Sequence, residues 1–353
     1  MLTAEAIRQR ARELGFDLCG VAPAIGFPEL TWLQEWLARG YAGEMDYLEK
    51  SADVRADIRR FLPSARSVIV MGTVYNTEQE SGTRDQGSGS DAIRVARYAR
   101  GQDYHKVIED RLIELIDWMQ EESPEPFDAA QFVDKHQVQE RVFAHHAGIG
   151  WVGKNCCVIN PGLGSWLFLS GIATSLVLEP DAPAVDRCGS CTLCIDACPT
   201  GALVDARQLD ATKCISYLTI ETNAGIPEPQ RPLLEQHAWG CDICQAVCPW
   251  NLGAAVTADP AWHGPLRHGL SAAGLWERSD DELHEVIKGS AMTYVPLSRL
   301  RRNLAVIIGN SGNASLAGVL DRPGRGRKNA ARSTLTPAVQ DAVAWARQQL
   351  AGE

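Results

Sequence analysis

The chain has 353 residues and a formal net charge of −10, with 34 Lys and Arg against 44 Asp and Glu. That length accommodates about two domains with a substantial core, and the acidic balance excludes a protein coated in basic surface while leaving room for a local basic patch. No run approaches about 18 consecutive apolar residues, and the N-terminus shows neither an apolar signal core nor a twin-arginine motif, so no membrane span and a cytoplasmic location are expected.

Residues 3–14 predict an amphipathic helix opened by Thr3 and closed at Gly15. Phe16-Asp17-Leu18-Cys19-Gly20-Val21 reads as a short strand, with Cys19 a small buried side chain. Ser67-Val68-Ile69-Val70-Met71 is a second strand, β-branched and apolar after the turn at Pro63. Residues 78–91, rich in Gly and Ser, predict a polar loop. Asp103 caps a helix reaching about Gln120, whose Ile108, Leu112, Leu115 and Met119 share one face. A hairpin is expected over residues 156–170, with Cys156-Cys157-Val158-Ile159 paired to Ser165-Trp166-Leu167-Phe168-Leu169. Cys156 and Cys157 are adjacent, a poor geometry for one metal, and read as strand residues.

Two cysteine runs follow. Cys188, Cys191, Cys194, Cys198 and Pro199 form C-x2-C-x2-C-x3-C-P, the ligand spacing of a cubane iron–sulfur cluster. Cys241, Cys244, Cys248 and Pro249 repeat the ending without the opening cysteine, which Cys214 can supply. Eight thiolates suffice for two four-iron clusters. The usual crossing assigns Cys188, Cys191, Cys194 and Cys248 to one, and Cys198, Cys214, Cys241 and Cys244 to the other. A zinc ribbon is the bland alternative, but its paired C-x2-C knuckles lack the third cysteine and trailing proline.

A ferredoxin alone needs no mixed α and β region ahead of its clusters, so a cofactor site is sought there. Three stretches set polar residues among glycines and aromatics: Arg97-Tyr98-Ala99-Arg100-Gly101-Gln102-Asp103-Tyr104-His105, then Phe132 to Arg141, then Gly148-Ile149-Gly150-Trp151-Val152-Gly153-Lys154-Asn155. The G-x-G-x-x-G of the third is weak by itself, lacking a strand–turn–helix context. On residues alone, Asp134 reads as a helix cap or a surface carboxylate, and His105 as a packing residue.

These stretches, with the cysteine runs, Cys214-Ile215-Ser216-Tyr217 and Gly240-Cys241-Asp242, resemble the epoxyqueuosine reductases over nearly the whole chain. The resemblance implies an α+β chain in three parts. A nitroreductase-like cobalamin-binding catalytic domain spans 1–178, a ferredoxin-like double 4Fe-4S domain spans 179–260, and a short HEAT-like helical tRNA-binding region spans 261–353. It implies cobalamin as a cofactor beside the two clusters, and as substrate a tRNA carrying epoxyqueuosine in its anticodon loop. An external donor such as a flavodoxin or ferredoxin would supply electrons. Asp134 is then the proton donor. Asp57, Arg97, Tyr98, Tyr104, His105, Asp134, Lys154, Asn155, Val158, Leu169, Ser216 and Asp242 would surround the corrin, and Asn223 would face tRNA. The family usually carries Ser-Ala-Pro after the aspartate, where this chain has Lys135-His136-Gln137. A lysine paired with Asp134 would lower its pKa and weaken it as an acid. A reductive dehalogenase shares the corrin-and-cluster layout, and an iron–sulfur electron carrier shares the cysteines alone.

In the last third, residues 280–288 open a helix with acids in the first turn. Between 299 and 332 stand Arg299, Arg301, Arg302, Arg322, Arg325, Arg327, Lys328 and Arg332, against the single acid Asp321. This local excess is the expected footprint of a phosphate-binding face, with Arg299, Arg301 and Arg302 as tRNA contacts. Helices near 300–310 and 336–350 make one HEAT-like pair, too few repeats to stand alone.

Overall fold

The computed structural model describes residues 2–78, 90–264, 266, 270–324 and 335–352. Most of the polar loop at 78–91, and Arg325, Arg327, Lys328 and Arg332, lie outside the described residues.

The first half is built on an antiparallel sheet of β1 (Leu18–Pro23), β2 (Ser67–Val74), β3 (Ala129–Val133) and β4 (Leu167–Thr174), in spatial order β1-β2-β4-β3. Side chains alternate across a strand, so β2 serves two cores. Ile69 and Met71 join one apolar cluster, while Val68 and Val70 join another on the opposite face. Helices α1 (Ala4–Glu13) and α2 (Tyr104–Glu122) cover the first face, and α3 (Glu140–His146) the second. Thr3 and Asp103 cap α1 and α2 as expected, each side chain accepting a bond from a first-turn N–H. Ile108, Leu112, Leu115 and Met119 are fully buried.

The expected hairpin takes another form. Val158–Ile159 pairs back to Trp151–Val152, and Leu167–Thr174 crosses the centre of the main sheet. Cys156 and Cys157 therefore lie in a turn, Cys156 at φ +65°, and are not strand residues. In β4, Gly171 admits no side chain, since a Cβ would come within 2.3 Å of the Phe132 ring.

The parts interlock. Arg94–Val95 runs parallel to His237–Trp239, just ahead of Cys241, and one apolar cluster extends from Ile7 through Ile215 and Trp239 to Leu350. Helices α4 (Ile215–Ile220), α5 (Leu297–Asn310) and α6 (Pro337–Ala351) complete it, with α5 packed between α6 and the cysteine region. No helix among the described residues is long and apolar enough to cross a membrane.

Candidate active site

Asp134 leaves β3 in the left-handed region, at φ +44°, a conformation that costs a non-glycine residue about 1–3 kcal/mol and tends to mark functional positions. Its Oδ2 accepts a 2.5 Å bond from Tyr104 Oη and lies 3.2 Å from His105 Nε2. His105 Nδ1 in turn lies 2.8 Å from Asp103 Oδ1. One helix start thus supplies the cap and both partners. Tyr104 is held by a stack on Phe168, 4.4 Å between centroids, and by the edge of Tyr98.

The electrostatics follow from these contacts. Desolvation opposes the charge on Asp134, but the hydrogen bonds from His105 and Tyr104 outweigh it and hold the carboxyl below its ordinary pKa. Water still reaches the group, whose side chain is 63% exposed. Burial alone would make His105 less basic, yet its bonds to Asp103 and Asp134 raise it to about 9. At neutral pH the proton therefore sits on the imidazole and Asp134 is ionised. Lys135 is not among the groups that act on Asp134; its Nζ pairs with Glu109 at 2.8 Å. His136 turns back onto the backbone of Val133 and against Phe61.

The eight cysteines gather in two groups. Cys248 neighbours Cys188, Cys191 and Cys194, while Cys241 neighbours Cys214 and Cys198, with Cys244 beside Cys241 and Cys214. A tetrahedral zinc with bonds of about 2.3 Å needs sulfurs about 3.8 Å apart. Among the described residues, no three cysteine sulfurs lie mutually within 4.8 Å, a spacing that only Glu29, His145 and His146 meet. The thiols are spread for something larger than one ion, which fits a cluster. Trp151 Nε1 points at Cys188 Sγ (3.4 Å), and Cys157 hydrogen bonds Cys244.

The remaining sequence candidates divide. Arg97 and Asp242 meet, the Arg97 N–H donating to Asp242 Oδ2 at 2.8 Å, and the Arg97 guanidinium lies over Trp166. Tyr98 Oη accepts from Trp239 Nε1. Ser216 and Tyr98 border Gly240, where a Cβ would stand 3.7 and 3.4 Å from them and only 2.6 Å from Ala96. Val158 is buried, and Leu169 pairs with Gly72 in the sheet. Lys154 and Asn155 are spent on the cysteine loops: Lys154 Nζ donates to the carbonyls of Gly189 and Cys191, and Asn155 Nδ2 to that of Cys244. Asp57 caps the turn Ile58–Phe61 and pairs with Arg59.

Of the proposed tRNA contacts, Asn223 and Arg299 come together, Arg299 Nη2 donating to Asn223 Oδ1 at 2.7 Å. Arg301 and Arg302 do not belong with them. They are 0% and 2% exposed, and their donors are consumed inside. Arg301 binds Asp280 and the carbonyls of Trp276 and Arg278. Arg302 binds the carbonyls of Thr222 and Leu218. Neither can reach a phosphate without unfolding the helix.

One residue escapes sequence reading. Glu140 is an acid in the first turn of α3, where acids are ordinary. Burial raises its pKa to about 8, and its Oε1 has no hydrogen-bond partner among the described residues. It borders a cavity of about 480 Å³ walled by Trp32, Trp36, Arg55, Arg141 and Arg207. Asp134 does not line that cavity; the chemistry is placed at Asp134 because its partners are arranged around it.

Comparison with known proteins agrees with this geometry. Residues 187–251 match the family described as "4Fe-4S double cluster binding domain". Residues 55–135 match "Epoxyqueuosine reductase QueG, DUF1730". A protein of Gloeobacter violaceus named epoxyqueuosine reductase is 42% identical over 323 residues, covering 88% of this chain and 98% of that one. The chain belongs to the epoxyqueuosine reductase family. A crystal structure of an epoxyqueuosine reductase with a tRNA-Tyr epoxyqueuosine-modified stem loop is 28% identical, with a TM-score of 0.85 over 98% of this chain and 89% of that one. The Bacillus subtilis epoxyqueuosine reductase, 27% identical with a TM-score of 0.84 over 98% of this chain and 90% of that one, was solved with its catalytic aspartate loop swung out of the active site.

Proposed function

We propose that this chain reduces the epoxide of epoxyqueuosine at the tRNA wobble position to the alkene of queuosine. The observation that carries the reading is a line of contacts from Asp134 through Tyr104 and Tyr98 to Trp239, just ahead of Cys241. It connects a proton site to the thiol group that contains Cys241. In this reading Cys188, Cys191, Cys194 and Cys248 hold one 4Fe-4S cluster, and Cys198, Cys214, Cys241 and Cys244 the other. The division into a nitroreductase-like part (1–178), a ferredoxin-like part (179–260) and a HEAT-like part (261–353) belongs to the same proposal. So do a cytoplasmic setting and recharging by a flavodoxin or ferredoxin.

The residues at the seam suit cobalamin. Gly240 is held so close to Ala96 that a Cβ would come within 2.6 Å of it, and this close approach sets the Tyr98 ring and the Ser216 hydroxyl side by side, an aromatic and a polar group of the kind a corrin and its amide rim take. Glu140, also buried, keeps an Oε1 without a partner among the described residues, beside a separate cavity that Tyr98, Ser216 and Gly240 do not line. Arg97 and Asp242 brace the seam, Lys154 and Asn155 act through the cysteine loops, and Asp57, Val158 and Leu169 are placed around the corrin by the family likeness. Cobalamin, when bound, supplies the electrons that open the C–O bond.

Converting an epoxide to an alkene takes up two electrons and two protons and releases water. An alkoxide is a poor leaving group, so a positioned acid matters. Tyr104 orients Asp134, and His105 holds the proton that Asp134 passes to the oxygen. A carboxylate with an imidazolium behind it replaces the simpler picture of an acid protonated at rest by burial.

The sign of the pH dependence follows. A pKa of about 9 on His105, above the usual 6.5, means that the pair is fully formed below pH 6.5 and is lost as pH rises through about 9. Turnover should fall across that alkaline range. In His105→Gln it should be lower at neutral pH, and the limb near 9 should vanish; a limb left in place would assign it to another group. The function itself is tested by mass analysis of nucleosides from epoxyqueuosine-containing tRNA incubated with reduced, reconstituted enzyme. Queuosine should appear. An unchanged epoxide would overturn the reading.

A further inference from the structure

Single apolar side chains on a surface are ordinary, but two exposed tyrosines here share the mouth of one site. Tyr294 is 71% and Tyr47 52% exposed. The Tyr294 ring lies 5.7 Å from that of His105 with an interplanar angle of 18°, and His105 is the partner of Asp134. Tyr47 stands on the short helix Asp46–Lys50. Desolvation first, then the charges of Glu221 and Asp134, partly offset by Arg55, raise its phenol pKa to about 12, so the ring lies within electrostatic reach of both acids and of Tyr294. Both rings are mounted on anchored backbone. The turn Ala291–Tyr294 is capped by Ser290 over buried Ala291 and Met292. The Tyr47 carbonyl accepts from Ser51 Oγ at 2.6 Å.

We propose that Tyr47 and Tyr294 form a pair of stacking platforms for unpaired nucleobases of the tRNA anticodon loop, flanking the nucleotide that enters toward Asp134. The proposal rests on the tRNA-reductase reading. A base reaching Asp134 must leave its stack, and its neighbours lose stacking partners. An exposed, neutral ring beside the entrance restores that contact without reading sequence, because every base has a π-face. The charge pattern agrees. Glu44, just ahead of the Tyr47 helix, accepts from Asn223, and Asn223 accepts from Arg299, so hydrogen bonds tie a cation to the segment that carries Tyr47.

The test uses holoenzyme and an anticodon stem loop labelled for fluorescence anisotropy. Tyr47→Ala and Tyr294→Ala should each weaken binding about 5- to 100-fold and raise KM, with kcat at saturating tRNA unchanged. Tyr47→Phe and Tyr294→Phe should bind as the parent does, since stacking needs the ring and not the hydroxyl. A fully paired RNA duplex should show no difference between parent and variants. Alanine variants that bind the loop normally would overturn the proposal, as would phenylalanine variants as weak as the alanine ones. Failure of the parent enzyme to convert epoxyqueuosine would instead overturn the reading beneath it.

Discussion

Asp134→Asn should load both kinds of cofactor, give the parent's optical spectrum, and turn over about 10²- to 10⁴-fold more slowly, the contribution of a well-placed general acid. Asparagine matches the carboxylate in shape and can still accept from Tyr104 Oη, now 2.5 Å away, so the loop should keep its place. What it cannot do is take a proton from His105 and hand it on. The loss should therefore fall on kcat more than on KM. The comparison is single-turnover conversion of modified tRNA by parent and variant at matched iron and cobalt content. A loaded variant with full turnover would remove Asp134 from the chemistry and leave its backbone strain without a catalytic purpose.

Arg301→Met should unfold the protein far more readily while touching no substrate. The guanidinium is wholly enclosed, donating to Asp280 at 2.7 and 2.9 Å and to two carbonyls at 2.8 and 2.9 Å. Removing it strands a buried carboxylate without this counter-charge, a change that costs about 3–5 kcal/mol. Urea unfolding followed by tryptophan fluorescence should show a loss of that size, with Trp276 nearby as a reporter. Changing Asp280 to leucine as well should recover part of it, because a pair replaced by apolar groups no longer leaves a lone charge behind. A variant as stable as the parent would mean that the pair is far more hydrated than its burial implies. Any drop in tRNA affinity in this variant should track the fraction unfolded.

The same arginines show where sequence reading reaches its limit. A tally of charges treats each arginine as a surface group, yet every residue from Leu300 to Gly309 is buried. The apolar stripe of Leu300, Leu304, Ile307 and Ile308 marks Arg301 and Arg302 as lying off it and hence on the surface, whereas the fold encloses this helix on all sides and the two arginines satisfy carbonyls of other elements. The cysteine runs, by contrast, were legible because their spacing is itself a coordination geometry, and the caps at Thr3 and Asp103 because capping is local. The sequence leaves open whether Lys135 pairs with Asp134, for a different reason. Adjacent in sequence to Asp134, it pairs with Glu109 across a helix that only the tertiary fold brings near. The hairpin failed because Val158–Ile159 and Leu167–Thr174 are both good strands, and loop length alone cannot say that the first turns back while the second enters the sheet. The strand Ala129–Val133 was missed since Ala129, Ala130 and Gln131 carry no β-branched signal.

The interleaving of the two thiol groups bears on how the protein is made. Cys248 stands with Cys188, Cys191 and Cys194, so on the ribosome neither group is complete until the second run has been translated. Iron loading then has no half-way stage in which the first run is finished and safe from oxygen. Maturation should be all-or-none, and stress on one centre should be felt by the other through the two cysteine runs, each of which serves both.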